Sequence, residues 1–187
     1  MCALAYEKLL DIEYYIIIGR KGKLTHLTLS FSKWDFHHLL GLGKLQDLAL
    51  ARQNREQVFE EILRGKIAYE TLERSAYLAQ IENRFQPFSE IETILDDNRL
   101  VFHYLKKSNP FSIIDADYLL PTVHRENVVY LFISESEQAG SYYCRSFFPR
   151  TGRDYTKNQT KYTLLYKEKR NLRTGKVVVQ YDKLSSK

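Results

Sequence analysis

Two adjacent histidines, His37 and His38, are the side chains of this sequence best suited to proton transfer. An imidazole has a pKa near the working pH, so it can act as a general base or a general acid. Neighbouring residues on a helix point about 100° apart, so the pair would not grip one metal ion together. We expect one histidine to face the core or a cleft and the other to be solvated.

A second group of candidates lies on a β-rich segment and in the loop after it. In strand geometry Cys144, Ser146 and Phe148 share one face, and Arg145 and Phe147 share the other. A guanidinium near a strand edge can clamp a phosphate and offset the charge that builds up in phosphoryl transfer. The two phenylalanines are either core residues or exposed stacking surfaces. The loop adds further cations and a tyrosine that could orient a ribose hydroxyl or stack on a base: Arg150, Arg153, Tyr155, Lys157 and Lys161.

A third candidate is the Asp115-Ala116-Asp117 segment, whose carboxylates would alternate onto one strand face. With Asp96-Asp97 and His103 nearby, it could hold Mg²⁺ or Mn²⁺. Asp-x-Asp is a common string, however, and Asp96-Asp97-Asn98 is more typical of a helix-to-strand turn than of a metal site. The sequence contains no Gly-rich phosphate loop, no Gly-x-Ser-x-Gly and no His-Glu-x-x-His.

The charge is unevenly distributed along the 187 residues. Residues 141–187 hold 12 Lys and Arg against 3 Asp and Glu, whereas residues 1–140 hold 16 against 20. A basic segment interleaved with tyrosines and phenylalanines suits single-stranded nucleic acid, which needs phosphate neutralisation beside stacking surfaces. The same composition is also typical of a β-sheet with a solvated basic face, because strands favour tyrosine regardless of function.

The elements that must position these residues fall into three parts. Residues 14–31 predict a hairpin, residues 35–96 are helix-rich, and residues 99–182 are sheet-rich, with short β-rich runs separated by turn signals. Asn54 is the predicted N-cap of a helix that Gly65 ends; the helical pattern continues over 67–84, and Pro87 is the next break. We predict one α+β domain over residues 1–187, with a helical layer packed on one face of a curved antiparallel β-sheet.

Composition narrows the class of protein. Apolar residues make up 44% and charged residues 27%, which is typical of a globular protein with a real core and excludes disorder of the whole chain. No apolar run approaches the ~18 residues of a membrane span, and the N-terminus lacks a signal-peptide pattern. Cys2 and Cys144 are too few for a disulfide framework or a Cys-based zinc site. We expect a cytoplasmic protein with no membrane contact.

The order of the motifs along the chain is similar to that of a known family. Phe-His-His-Leu-Leu-Gly-Leu at 36–42 is followed by Lys44-Leu45 and a helical middle, and Asp117-Tyr118 and Arg145-Ser146-Phe147-Phe148 come before Tyr155. Over about residues 10–182 the chain resembles the fourth group of phage-associated Barnase-EndoU-colicin-RelE-like nuclease domains. The resemblance implies a helical region against a four-stranded antiparallel sheet, and metal-independent RNA cleavage in mobile-element conflict or as a toxin. The positions that match its motifs are His37, His38, Lys44, Arg145, Ser146, Phe147 and Tyr155.

We therefore predict an endoribonuclease in which the 2′-hydroxyl of RNA attacks the adjacent phosphate, with no metal or cofactor. His38 is the preferred general base and His37 its substitute. Arg145 and Lys157 would neutralise the phosphorane, while Ser146 and Tyr155 would bind phosphate or ribose. The remaining predicted substrate contacts are Lys44, Phe147, Arg150, Arg153 and Lys161.

Two alternatives remain open on sequence grounds. The chain could be a non-catalytic module that holds RNA, or a phage or host protein, on its basic aromatic face. It could also be a metal-dependent nuclease centred on Asp115 and Asp117. RNA is the expected partner in the leading hypothesis, with a cognate inhibitor protein as a second.

Overall fold

The computed structural model describes residues 1–185 and is a mixed α/β fold in which helices pack against a closed sheet. Helices occupy the first half of the chain, and most strands the second. The strands are β1 (Ile12–Arg20), β2 (Lys23–Ser30), β3 (Val101–His103), β4 (Tyr118–His124), β5 (Asn127–Glu135), β6 (Ser141–Pro149), β7 (Thr160–Asn171) and β8 (Val177–Asp182).

Seven of these strands close into a barrel in the order β1-β2-β6-β5-β4-β3-β7, because β7 returns to pair with β1. The start of β7 pairs with β3, and its later part pairs with β1 on one edge and β8 on the other. Neighbours are antiparallel except β2 and β6, which are parallel. A parallel pair needs a long crossover, and the whole helical region lies between these two strands.

The closed barrel differs from the sheet that the sequence predicts. We expected an open curved sheet of antiparallel neighbours, and the family resemblance implied four strands. The closing contact joins residues 12–19 to residues 163–171, at opposite ends of the chain. Short-range turn signals predict only which consecutive strands pair, so they carry no information about this contact.

The helical region is less regular than its sequence pattern suggests. The α-helices are α1 (Cys2–Glu7), α2 (Lys33–Leu40), α3 (Arg55–Leu63), α4 (Tyr69–Leu72), α5 (Phe85–Phe88) and α6 (Ile91–Asp97). Short 3₁₀ helices lie at Lys8–Asp11, Leu42–Lys44, Ala49–Ala51, Leu78–Gln80, Glu82–Arg84 and Lys106–Ser108. No helix among these residues is long and apolar enough to cross a membrane.

Local chemistry explains where these elements begin and end. The Asn54 side chain accepts a hydrogen bond from the Gln57 amide at 3.0 Å, which confirms the predicted N-cap. The predicted helix over 67–84 is wrong, because Asp47 accepts hydrogen bonds from the Ser75 hydroxyl at 2.5 Å and the Ala76 amide at 2.8 Å. These contacts hold the chain in turns.

Within the sheet-rich part, the composition of residues 111–120 predicts one β-rich run, and the structure shortens it. Its first half is a loop, and strand β4 begins only at Tyr118. The Ser112 amide donates to the Asn109 carbonyl at 2.8 Å, and the Ile114 amide donates to the Ser112 hydroxyl at 3.2 Å. These local bonds satisfy the backbone without a partner strand.

One core joins the helices to the inner face of the barrel. Tyr6 of α1 lies against Phe36 at 5.6 Å and Phe88 at 5.7 Å between ring centroids. Phe88 packs edge-on against Phe147 of β6 at 5.3 Å. Aromatic pairs of this geometry add about 0.5 to 1.5 kcal/mol beyond their burial. They fix α2 against β6, which is the junction where the candidate site lies.

A second, smaller core covers part of the barrel on the opposite side of the sheet. We call it the outer aromatic cluster and define it as Tyr104, Tyr130, Phe132, Phe148 and Tyr155. The loops that carry its first and last members are tied together, since the Leu105 amide donates to the Gln159 side-chain oxygen at 2.6 Å. The basic loop after β6 is therefore anchored to the sheet.

Candidate functional site

The two histidines of α2 have opposite environments, as the helix geometry predicted. His37 is 3% exposed, and its Nε2 lies 3.0 Å from the Leu50 carbonyl oxygen. His38 is exposed, and its imidazole lies beside the backbone of Arg145 on β6. The structure thus brings His38, and not His37, to the surface beside the predicted phosphate clamp.

A β-bulge in β6 places Arg145. Cys144 pairs with Ile133 and Ser146 pairs with Phe132, so Arg145 is the extra residue between them. This breaks the predicted alternation: Cys144 and Phe147 both lie in the main core, whereas Arg145 is exposed and Ser146 is half-buried. The face assignment from a regular strand was therefore wrong.

The surroundings of His38 lower the pKa of its imidazole. Partial loss of solvent around the imidazole ring lowers the pKa of His38, and the charges of Arg55, Arg145 and Arg84 lower it further. The backbone of Arg145 acts in the opposite direction. The lowered pKa of His38 favours the neutral form of its imidazole. A neutral imidazole is the form that can accept a proton.

Arg84 was not among the residues predicted from the sequence. It is only 8% exposed, donates a hydrogen bond from Nη1 to the Leu39 carbonyl at 3.0 Å, and lies 5.7 Å from the ring centre of Phe148. Burial lowers its pKa, and its charge together with burial lowers the pKa of Lys44. No sequence pattern near Arg84 indicates this role, because Arg84 contacts α2 at Leu39, which lies 45 residues earlier in the chain.

We call His38, Lys44, Arg84 and Arg145 the cationic cluster, because the charges of Arg84 and Arg145 act on His38 and the charge of Arg84 acts on Lys44. Within residues 1–185, none of its members is ion-paired with a carboxylate. A buried guanidinium without a counter-charge is costly, since the effective penalty for burying an ion is several kcal/mol. Such a cluster is suited to binding an anion such as a phosphate group.

Gly41 makes room for the cluster. Its backbone is left-handed, with φ at +83°, and it ends α2. A Cβ atom there would lie 2.9 Å from Ile81 Cγ2 and 3.3 Å from the Arg84 guanidinium. The glycine of the Phe-His-His-Leu-Leu-Gly-Leu motif is therefore required both for the turn and for the approach of Arg84 to the helix end.

Tyr155 and Arg84 both contact the ring of Phe148. Its ring contacts Tyr130, Phe132 and Phe148, each at 5.5 Å between centroids, so most of its contacts are packing contacts. Arg153 lies 5.8 Å from the centre of the ring. Phe148 therefore links Tyr155 to Arg84 of the cationic cluster. Tyr155 itself does not contact His38.

The other predicted substrate contacts divide into buried and exposed residues. Phe147 is fully buried against Phe88, so it presents no surface to a nucleotide, and its predicted stacking role is corrected to a core role. Arg150 lies 3.6 Å from Asp154 in an ion pair. Arg153, Lys157 and Lys161 are exposed on the anchored loop and at the start of β7.

Asp115 and Asp117 line one pocket with Glu135 and Arg145, but they do not share a strand face, because both residues precede β4. Asp115 is exposed in a loop, where its carboxylate lies 3.9 Å from Lys106. The Asp117 side chain accepts a hydrogen bond from the Glu135 amide at 2.8 Å. No set of three or more His, Cys, Asp or Glu side chains in the described part of the chain is placed to hold a metal ion.

We expect His37→Ala to destabilise the fold rather than impair chemistry directly. The substitution leaves the buried Leu50 carbonyl without its partner and opens a cavity, so the free energy of unfolding should fall by about 2 to 3 kcal/mol. Denaturant titration measures this, with His38→Ala as the matched exposed control, expected to change stability by less than about 0.5 kcal/mol. Equal losses in the two variants would contradict a purely structural His37.

The fold is a mixed α/β barrel with helices packed against it, and the cationic cluster lies where α2 meets β6. The chain matches the family model described as phage-Barnase-EndoU-ColicinE5/D-RelE like nuclease4 over residues 1–184, and it belongs to that family. The family indicated by the sequence motifs is thereby confirmed, and with it a nuclease of this type whose substrate is a nucleic acid. No curated protein and no solved structure matches the chain.

Proposed function

We propose that the chain is an endoribonuclease that cleaves RNA by attack of its own 2′-hydroxyl, without a metal ion. The single observation that carries the proposal is the position of His38, exposed on α2 beside Arg145 of β6 and within the cationic cluster. This arrangement supplies the two requirements of the reaction, a proton acceptor and fixed positive charge around the phosphorus.

In the proposed reaction, His38 accepts the proton of the 2′-hydroxyl as the 2′-oxygen forms its bond to phosphorus. Arg145 and Arg84 stabilise the phosphorane, which carries more negative charge than the substrate phosphate. The bond from phosphorus to the 5′-oxygen then breaks. Lys44, whose pKa is lowered, donates the proton that this oxygen needs. The products are a 2′,3′-cyclic phosphate and a 5′-hydroxyl.

The remaining predicted contacts bind the strand outside the reacting phosphate. In the proposal Ser146, which is half-buried at the bulge beside Arg145, binds phosphate or ribose. The exposed cations Arg153, Lys157 and Lys161 extend the positive surface. The phage origin named in the family description supports a cytoplasmic role in conflict between a mobile element and its host, with a cognate inhibitor protein as a further partner.

The proposal is tested with a chelator and a sugar substitution. We expect cleavage of a short single-stranded RNA to persist in EDTA and to yield the cyclic phosphate. The same strand with 2′-deoxyribose should remain intact, because the attacking hydroxyl is missing. Activity lost in EDTA would favour a metal-dependent nuclease, and cleavage of the deoxy strand would contradict 2′-hydroxyl attack.

A non-catalytic RNA-binding module is the second candidate, and the exposed basic loop after β6 favours it. The two candidates predict the same salt-sensitive RNA binding, since either way phosphate contacts release counterions. They differ in the product that they predict, because only the nuclease forms a 2′,3′-cyclic phosphate. Binding without any cyclic-phosphate product on varied RNAs would leave the binding module as the better account.

A further inference from the structure

Trp34 is an exposed aromatic side chain one helical turn before His38. It is the only tryptophan of the chain and is 47% exposed. Residues four apart on a helix are neighbours on the same face, with about 5 to 6 Å between Cβ atoms. The other large side chains of α2, Phe36, Leu39 and Leu40, are buried. Trp34 and His38 thus form the exposed stripe of this helix.

Arg55, the first residue of α3, joins the same surface. Its guanidinium lies 4.9 Å from the centre of the Trp34 ring, and its charge lowers the pKa of His38. Within residues 1–185 it is not ion-paired with a carboxylate. An indole with a cation stacked on it, next to a phosphate-binding cluster, offers a flat apolar surface and a phosphate contact side by side.

We propose that Trp34 and Arg55 form a subsite for the nucleobase adjacent to the scissile phosphate. The base stacks on the exposed part of the indole, and Arg55 contacts the neighbouring phosphate. The inference rests on the proposed function, because it takes the cationic cluster as the phosphate site. It adds a substrate class: a base in a duplex is already stacked and paired, so the subsite selects an unpaired nucleotide with little preference among the four bases.

The lone tryptophan makes the contact directly measurable. We expect the intrinsic fluorescence of the full chain to be quenched as a short single-stranded 2′-O-methyl RNA is added, because that strand cannot undergo 2′-hydroxyl attack. The quenching should saturate with the same Kd as the anisotropy of a labelled strand. Ribose 5-phosphate, which has no base, should leave the fluorescence unchanged, and a hairpin without unpaired bases should quench far less. Absence of quenching at saturation would overturn the proposal.

Substitutions separate stacking from apolar contact. Trp34→Phe keeps an aromatic face and should retain affinity to within about threefold, whereas Trp34→Leu and Trp34→Ala should weaken binding about 5- to 150-fold. Thermal melting of each variant checks that it is folded. Equal affinity in Trp34→Leu and the wild type would overturn a base-stacking role and leave Trp34 to packing or a protein partner.

The fluorescence result is independent of cleavage. If quenching and the Trp34→Leu loss are found but no cyclic phosphate forms, the base subsite stands and the nuclease mechanism fails. If cleavage proceeds normally in Trp34→Ala, with unchanged KM and no quenching in the wild type, the subsite fails and the mechanism stands.

Discussion

His38→Ala lowers the rate of RNA cleavage about 100-fold or more, the usual contribution of a positioned proton-transfer group. The loss should fall on kcat, while RNA affinity measured by anisotropy stays nearly unchanged, because an exposed neutral imidazole contributes little to phosphate binding. His37→Ala provides the matched comparison one residue away. It should lower stability but keep activity per folded molecule, and the reverse pattern would make His37 the base.

The pH dependence of RNA cleavage gives a second test of His38 as the general base. Because the pKa of His38 is lowered, the acidic limb of kcat/KM should lie below pH 6.5, the ordinary histidine value. Arg55 is the largest charge contribution to that shift. Arg55→Gln should therefore move the limb to higher pH, towards the ordinary value. A limb that stays fixed in this variant would mean that another group accepts the proton.

The histidine pair shows how far sequence reasoning reaches at the site. The 100° between neighbours on a helix is a local property, so it correctly predicted that one imidazole is buried and the other solvated. The direction of each depends on what packs against α2, namely the Leu50 carbonyl for His37 and β6 for His38. Those partners come from distant parts of the chain, and no local pattern identifies them.

The bulge at Arg145 marks a second limit. A strict two-residue alternation predicts the face of every side chain in a strand, and it failed here because one residue in β6 has no partner in β5. Because of this extra residue, Phe147 lies in the main core and Phe148 lies in the outer aromatic cluster. Bulges are common beside active sites, where they re-aim a side chain. In this strand the re-aimed residue is the predicted phosphate clamp.

Arg84 is the residue that the sequence could not reveal and that the structure makes most informative. Arg84→Met should reduce kcat/KM for RNA about 100- to 1,000-fold, the loss seen when one preorganised donor to a developing charge is removed. The methionine has a similar length and fits an apolar environment. Arg64→Met, at the exposed arginine that follows the last residue of α3 and pairs with Glu60, is the matched control and should leave cleavage within about twofold of the wild type.

The same substitution should not destabilise the protein. Removing the guanidinium loses a hydrogen bond to Leu39, worth about 1 kcal/mol, and a cation–π contact of about 1 to 2 kcal/mol with Phe148. It also removes the several kcal/mol that burying an unpaired charge costs. The free energy of unfolding should therefore be unchanged or higher. Inorganic phosphate should raise the Tm of the wild type but not of Arg84→Met. A variant that is unstable yet still stabilised by phosphate would show that Arg84 supports the fold and another group binds the anion.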